Sequence, residues 1–290
     1  MWSEITRQIA EALGSGFQPG RPAPVSGGSI NAAWRLEDGA EAVFVKTNRA
    51  DAAAMFEAEA EGLAAMAAAE GIRVPAVITH GLADDHSFIA LEWIDLRGRG
   101  DWTAFGADLA VMHRQTADAH GWHRENTIGS TPQPNQRDSD WCRFFAGQRL
   151  GFQLDLAETG GGSHQLIDAG RRLQQHLPAL FAGHQPTPSL LHGDLWSGNV
   201  AFDSSGNGVL YDPATHYGDR ECDLAMSELF GRFPEPFYQA YDAAWPIDPG
   251  YPVRRDLYQL YHVLNHGNLF GGGYFRQAEG VISRLMSEIG

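Results

Sequence analysis

Leu190-Leu-His-Gly-Asp-Leu-Trp-Ser-Gly-Asn199 is the densest run of chemistry-bearing residues in the chain. His192-x-Asp194 is followed five positions later by Asn199, the spacing of a phosphoryl-transfer catalytic loop. That chemistry asks for a carboxylate that orients an attacking hydroxyl and takes its proton. It also asks for an amide oxygen nearby that holds a metal, with both on one tight loop. Asp194 is therefore the candidate base and Asn199 a candidate metal ligand.

Working toward the C-terminus, Val200-Ala-Phe202 and Val209-Leu-Tyr211 read as a short hairpin around Ser204 to Gly208. It delivers Asp212 beside Asn199, a second oxygen donor of the kind Mg²⁺ uses when phosphates and water complete its shell. Working toward the N-terminus, Ser26-Gly-Gly-Ser-Ile-Asn31 is a small-residue turn running into a strand, with Asp38-Gly39 as a hairpin turn. Gly27, Gly28 and Ser29 are the candidate phosphate-covering residues, because glycine lets backbone N–H groups approach phosphate oxygens. The next strand, Ala42 to Lys46, ends on the only lysine among 21 basic residues. A position that keeps lysine in so arginine-rich a chain points to a need for a compact ammonium, which a planar guanidinium cannot imitate. Lys46 does not follow a glycine or open a helix, so there is no Walker motif.

Residues 51 to 69 read as a helix, with Asp51 as N-cap and Gly71 beyond its end. At about 100° per residue, Glu59 falls inside the apolar stripe of Phe56, Leu63 and Met66, while Glu57 and Glu61 face the other way. An unpaired carboxylate there would be costly, so Glu59 either lies at the wet margin of the stripe or forms an ion pair with Lys46 from the preceding strand. Strands are expected over Val74 to Thr79 and Ser87 to Trp93, with Leu96 to Gly100 connecting two lobes. Beyond, the chain reads as mostly helical, with 124 to 140 as a loop and a helix starting near Trp141.

The chain has 290 residues, 43% hydrophobic, enough for a sizeable core. Its formal net charge of −15 argues against a general nucleic-acid or anionic-lipid binder. No apolar run approaches the ~20 residues of a membrane span, and Met1 to Ala10 carries charges where a secretory leader is apolar. Two distant cysteines, Cys142 and Cys222, suggest no disulfide framework, and a cytoplasmic location is expected.

These parts together resemble the fructosamine-3-kinase (ketosamine-3-kinase) family, relatives of the aminoglycoside phosphotransferases within the protein-kinase-like superfamily. The resemblance is carried by His192 to Asn199 and by Tyr211-Asp-Pro-Ala214. It extends to Gly27 to Asn31, Phe44-Val-Lys46, Phe56-Glu-Ala-Glu59, Asn126-Thr-Ile-Gly129 and Asn265-His-Gly-Asn268 with Phe270-Gly271. The tryptophan after Asp-Leu is its most family-specific element. It implies an α+β, bilobal protein-kinase-like fold: a small sheet-plus-helix lobe over residues 1–95 that binds nucleotide, and a mostly helical catalytic and substrate lobe over 96–290. It implies ATP and Mg²⁺ as cofactors, with Lys46 on the α and β phosphates, held by Glu59. Asp194 would be the base, Asn199 and Asp212 the metal ligands. Glu92 and Ile94 would offer backbone groups to adenine, and Trp196 and His266 would contact the sugar. The acceptor it implies is a ketosamine, free or protein-bound, phosphorylated at its 3-hydroxyl. That step makes the glycation adduct labile. Another small-molecule kinase, acting on an aminoglycoside, choline or a plain sugar, and a non-catalytic ATP-binding scaffold are the alternatives.

Against protein kinases the chain departs in kind: Gly193 stands for the Arg of His-Arg-Asp, and Asp212-Pro213-Ala214 for Asp-Phe-Gly. His262-Val-Leu-Asn-His266 has the spacing of a zinc pair but lacks the glutamate of His-Glu-x-x-His. Asp219, Glu221 and Asp223 either attract a cationic substrate or cap the following helix.

Overall fold

The computed structural model describes residues 1–14, 16–26, 30–39 and 41–289. The candidate phosphate-covering residues Gly27, Gly28 and Ser29 lie outside that set. The N-terminal part comprises α1 (Trp2–Leu13), β1 (Ala23–Val25), β2 (Ala32–Asp38), β3 (Glu41–Arg49), α2 (Ala53–Ala68), β4 (Val77–Ala83) and β5 (His86–Glu92). Its five strands form one antiparallel sheet in the order β1-β2-β3-β5-β4. Side chains alternate across a strand, and β3 uses both faces. Val43 and Val45 join Phe88 and Ala90 under α1, where Ile5 and Ile9 are fully buried. Phe44 and Lys46 point the other way, toward the cleft between the two parts. Lys46 is in register with Ala33 of β2 and Ile89 of β5, so it sits mid-sheet rather than at an edge.

The rest is mainly helical: α3 (Trp102–His113), α4 (Trp141–Phe144), α5 (Phe152–Gly160), α6 (His164–Leu180), α7 (Glu221–Leu229), α8 (Glu235–Ala244), α9 (Tyr251–Phe270) and α10 (Gly273–Ile289). Three small hairpin-like pairs are set among them. They are β6 (Asn126–Ile128) with β7 (Thr131–Gln133), β8 (Ser189–Leu191) with β11 (His216–Gly218), and β9 (Val200–Phe202) with β10 (Gly208–Leu210). The main core runs from α2 through α3 and α7 to α9 and α10, so one continuous apolar body supports the cleft from below. Among the described residues no helix is long and apolar enough to cross a membrane.

Several boundaries differ from the sequence expectation. Asp51 does not cap α2; it lies in a 3₁₀ turn over Ala50–Ala52 and pairs with Arg49 at 2.9 Å. β4 begins three residues late because Pro75 has no N–H to give a ladder. The stretch 124 to 140 contains the β6–β7 hairpin, with Pro132 on one of its two strands. The helix expected at Trp141 does start there, capped by Asp140, but it widens into a π-helical turn over Phe145–Gly151.

Candidate active site

A cleft of about 950 Å³ opens between the sheet and the helical part. Its lining includes Lys46, Glu59, Glu92, Ile94, Asp194, Trp196, Asn199, Asp212 and His266, so the structure brings the described candidate residues to one place.

Lys46 is buried, and its Nζ donates to Glu59 Oε1 at 2.6 Å and to Asp212 Oδ1. Burial alone would lower the ammonium pKa, but the two carboxylates outweigh it and hold it above the usual lysine value. Glu59 comes from the buried face of α2, as its place in the stripe requires. Two negative groups thus share one positive charge, and Asp212, the more exposed of the two, has a second oxygen with no partner among the described residues.

The β9–β10 hairpin presents Asp212 with a φ of +57°, a backbone region that non-glycine residues rarely occupy and that concentrates at functional sites. The catalytic loop is packed tightly beneath it. Gly193 has a φ of +83°, and a Cβ there would lie 2.2 Å from the Ala214 carbonyl oxygen. Only glycine fits, which explains why this loop has no arginine before its aspartate. His192 donates Nε2–H to the Tyr211 carbonyl at 2.9 Å and accepts Asp194 N–H on Nδ1 at 3.2 Å. Both ring nitrogens are used by the neutral form, and burial pulls its pKa down in keeping.

Asn199 Nδ2 donates to Asp194 Oδ2 at 3.0 Å and to the Asp194 carbonyl at 2.9 Å. The amide therefore steadies the aspartate, while its own Oδ1 has no partner among the described residues. Asn199 and Asp212 both line the cleft and bring hard oxygen donors to it, a set that suits Mg²⁺ and not a thiolate-seeking metal. Asp194 is half-buried, and burial, reinforced by the charges of Asp212 and Asp223, raises its pKa to about 7.

At the β5 end of the cleft, the Glu92 side chain is taken by Arg73 at 2.8 Å, and its N–H by the Ala76 carbonyl at 2.8 Å. Ile94 N–H makes no hydrogen bond among the described residues. Arg73 also holds Asp203 at 2.6 Å, tying the segment between α2 and β4, and through Glu92 the end of β5, to the β9–β10 hairpin. At the other end, Trp196 packs edge-on to Phe230 (6.0 Å between ring centroids), and Phe230 packs on His266 (4.6 Å). His266 bonds through Nδ1 to the His262 carbonyl, and among the described residues neither imidazole belongs to a group of three or more metal-ligating side chains. The described residues hold one converging cluster, His184, Asp219 and Glu221, and it is already occupied by Tyr258 and Arg254.

Asp223 is the functional residue that motif reading missed. It is not among the residues lining the cleft, and although it lies in the first turn of α7 it does not cap that helix. Buried on α7, it accepts His192 N–H at 2.7 Å and Gly193 N–H at 2.9 Å, and His113 Nε2 lies 3.2 Å away. It fixes the backbone on which Asp194 is mounted. A buried aspartate three residues into a helix, after two other acidic residues, was the available signal.

Lys46→Arg tests the cation site. Both carboxylate partners meet one small ammonium in a buried pocket, and a guanidinium fork there displaces one of them. We expect kcat/KM for ATP to fall by about 10², checked by steady-state kinetics; near-normal kinetics would make the lysine an incidental cation.

Comparison with known proteins extends the likeness beyond the site. The profile of the family described as "Fructosamine kinase" matches residues 1–288. A probable ketoamine kinase of Synechocystis is 47% identical over 98% of this chain and 97% of its own length. A chloroplastic protein-ribulosamine 3-kinase of Arabidopsis thaliana is 47% identical over 89% of this chain and 80% of its own. Among solved structures, a candidate fructosamine-3-kinase from Haemophilus somnus superposes with a TM-score of 0.90 at 32% identity, covering 99% of this chain and 98% of that one. With the loop, the lone lysine and the paired oxygen donors set in one cleft, and the match running nearly end to end, the chain belongs to the fructosamine kinase family.

Proposed function

We propose that this chain transfers the γ-phosphoryl group of ATP to a hydroxyl of a ketosamine, and that residues 1–95 and 96–290 act as its nucleotide and substrate lobes. The observation that carries this reading is the convergence of Lys46, Asp194, Asn199 and Asp212 on one cleft in a chain of this family. Phosphoryl transfer is mostly positioning and charge stabilisation, and each residue has a share. Lys46, braced by Glu59, meets the α and β phosphates. Ile94 N–H and the Glu92 carbonyl meet adenine. Asp194 orients the sugar 3-hydroxyl and accepts its proton as the oxygen bonds to phosphorus and ADP leaves. Asn199 and Asp212 would hold Mg²⁺, which when bound neutralises phosphate charge. The face of Trp196 suits the C–H face of a sugar, with His266 beyond Phe230. The two cysteines are free thiols, in keeping with a cytoplasmic enzyme that labilises glycation adducts for repair.

The test is an acceptor panel with labelled ATP: ribulosyl-, erythrulosyl- and fructosyl-lysine beside choline, an aminoglycoside and free fructose. Label on the ketosamines is expected. Label on choline or the aminoglycoside with none on any ketosamine would contradict the proposal. Because Asp194 must be ionised to act, kcat/KM is expected to rise with pH through about 7 and to fall below it. A rate independent of pH between 5 and 9, measured over that range, would remove Asp194 as the base.

A further inference from the structure

Asn126, at the start of β6, lines the cleft with Asp194 and Trp196. Its amide is unusually constrained. Oδ1 accepts Gln133 Nε2 at 2.8 Å and Asn135 Nδ2 at 2.7 Å, which fills both lone pairs. Nδ2 donates one hydrogen to the Thr215 carbonyl at 2.8 Å. The second amide hydrogen has no partner among the described residues. Asn126 therefore offers the cleft a donor and no acceptor.

An asparagine amide is ordinarily free to turn over. Here its sense is set from within the fold. Arg149 donates Nη2–H to Asn135 Oδ1 at 2.7 Å and Nη1–H to the Pro134 carbonyl at 2.5 Å. A guanidinium can only donate, so Asn135 must turn its NH₂ group toward Asn126. A parallel branch runs from the Tyr261 hydroxyl to Gln133 Oε1 at 2.7 Å, and Gln133 Nε2 then serves Asn126 and the Ala214 carbonyl. Both branches run in the same direction, and Gln133 and Asn135 are each 1% exposed.

Arg149 itself is 2% exposed; among the described residues it pairs with no carboxylate and its Nε is without a partner. It lies over the rings of Phe144 (4.7 Å) and Tyr261 (5.8 Å), mounted on the π-helical turn. Burying a charge without a counter-ion is costly, and π-turns are frequent at functional sites. A positive source at the head of an aligned amide chain also strengthens the donor at its end.

We propose that Asn126 is an acceptor-binding residue whose free amide N–H donates to an oxygen of the sugar, and that Arg149, acting through Asn135, is the positioning residue that keeps the donor turned to the cleft. This rests on the reading of the cleft as a phosphotransferase for a polyhydroxylated acceptor.

The rival is a purely structural brace on Thr215, three residues beyond Asp212. Kinetics separates the two. In Asn126→Ala we expect the KM for ribulosyl-lysine to rise about tenfold, the scale of one lost hydrogen bond. The Kd of a fluorescent ADP with Mg²⁺ should stay within about twofold. A brace would loosen nucleotide and acceptor together, and that parallel loss, or an unchanged ketosamine KM, would overturn the proposal. Asn135→Asp is the second variant. It keeps an acceptor for Arg149 but sets a carboxylate oxygen against Asn126 Oδ1, which turns the Asn126 amide over. It should raise the ketosamine KM with ADP affinity retained; a wild-type ketosamine KM in this variant overturns the positioning role. If the wild-type enzyme accepts no ketosamine, the proposed function fails separately, and the same KM comparison is made with whichever hydroxyl acceptor from the panel it does phosphorylate.

Discussion

Asp194→Asn lowers kcat by about 10² to 10⁴, the usual contribution of a positioned general base, while ADP binding is retained. Asp194 makes no hydrogen bond to the Lys46–Glu59–Asp212 cluster; its side chain accepts from Asn199. The asparagine keeps that contact through its own carbonyl oxygen and loses only the ability to take a proton. The same substitution should leave the fold as stable or more so. The Asp194 carboxyl has a pKa of about 7 because burial, with Asp212 and Asp223 nearby, disfavours its charge. A carboxyl whose pKa is raised in the folded state favours folding most below its ordinary value of 3.8 and loses that advantage as pH rises to about 7. The Tm of Asp194→Asn relative to wild type should therefore be most favourable above pH 7 and should lose that edge near pH 4. Unfolding scans across that range check the sign. A variant that is slow and also unstable at pH 8 would mean the residue is structural.

Asp223→Ala is expected to be the most damaging change away from the nucleotide. It leaves His192 N–H and Gly193 N–H without an acceptor and strips His113 of its carboxylate, all in the core. Removing one member of a buried charged network costs about 3 to 5 kcal/mol, read as a fall in the denaturation midpoint. The protein that does fold should have a low kcat with ADP affinity nearly intact, because the loop carrying Asp194 is loosened while the Lys46 cluster is not. A stable Asp223→Ala protein with normal kcat would show that the loop holds its shape without this brace.

How much of this was legible beforehand follows from the range of each interaction. The spacing within Leu190 to Asn199 and the hairpin delivering Asp212 are local patterns, and both are present in the structure; the strand carrying the only lysine is present too, but it runs on to Arg49 rather than ending at Lys46. Glu59 was legible because helical periodicity reports which side chains turn inward. Asp223 was not, since its partners are 30 and 110 positions away and its neighbours in sequence suggested a cap or an acidic patch. The β6–β7 hairpin was hidden by prolines that read as loop. The π-turn was invisible because its apolar residues also satisfy an ordinary helix. Arg149 illustrates the same limit: nothing in a sequence distinguishes a buried, uncompensated arginine from a solvated one, and its meaning appears only with Asn135 and Asn126 beside it.

Calorimetric titration of ADP, with and without Mg²⁺, against wild type, Asp212→Asn and Asp194→Asn tests the shared cleft most directly. Mg²⁺-dependent binding is expected, weakened at least about tenfold in Asp212→Asn, the scale of a lost charged contact, and unchanged in Asp194→Asn. ADP bound equally well without Mg²⁺ and indifferent to Asp212→Asn would contradict a single magnesium-nucleotide site built from Lys46, Asn199 and Asp212.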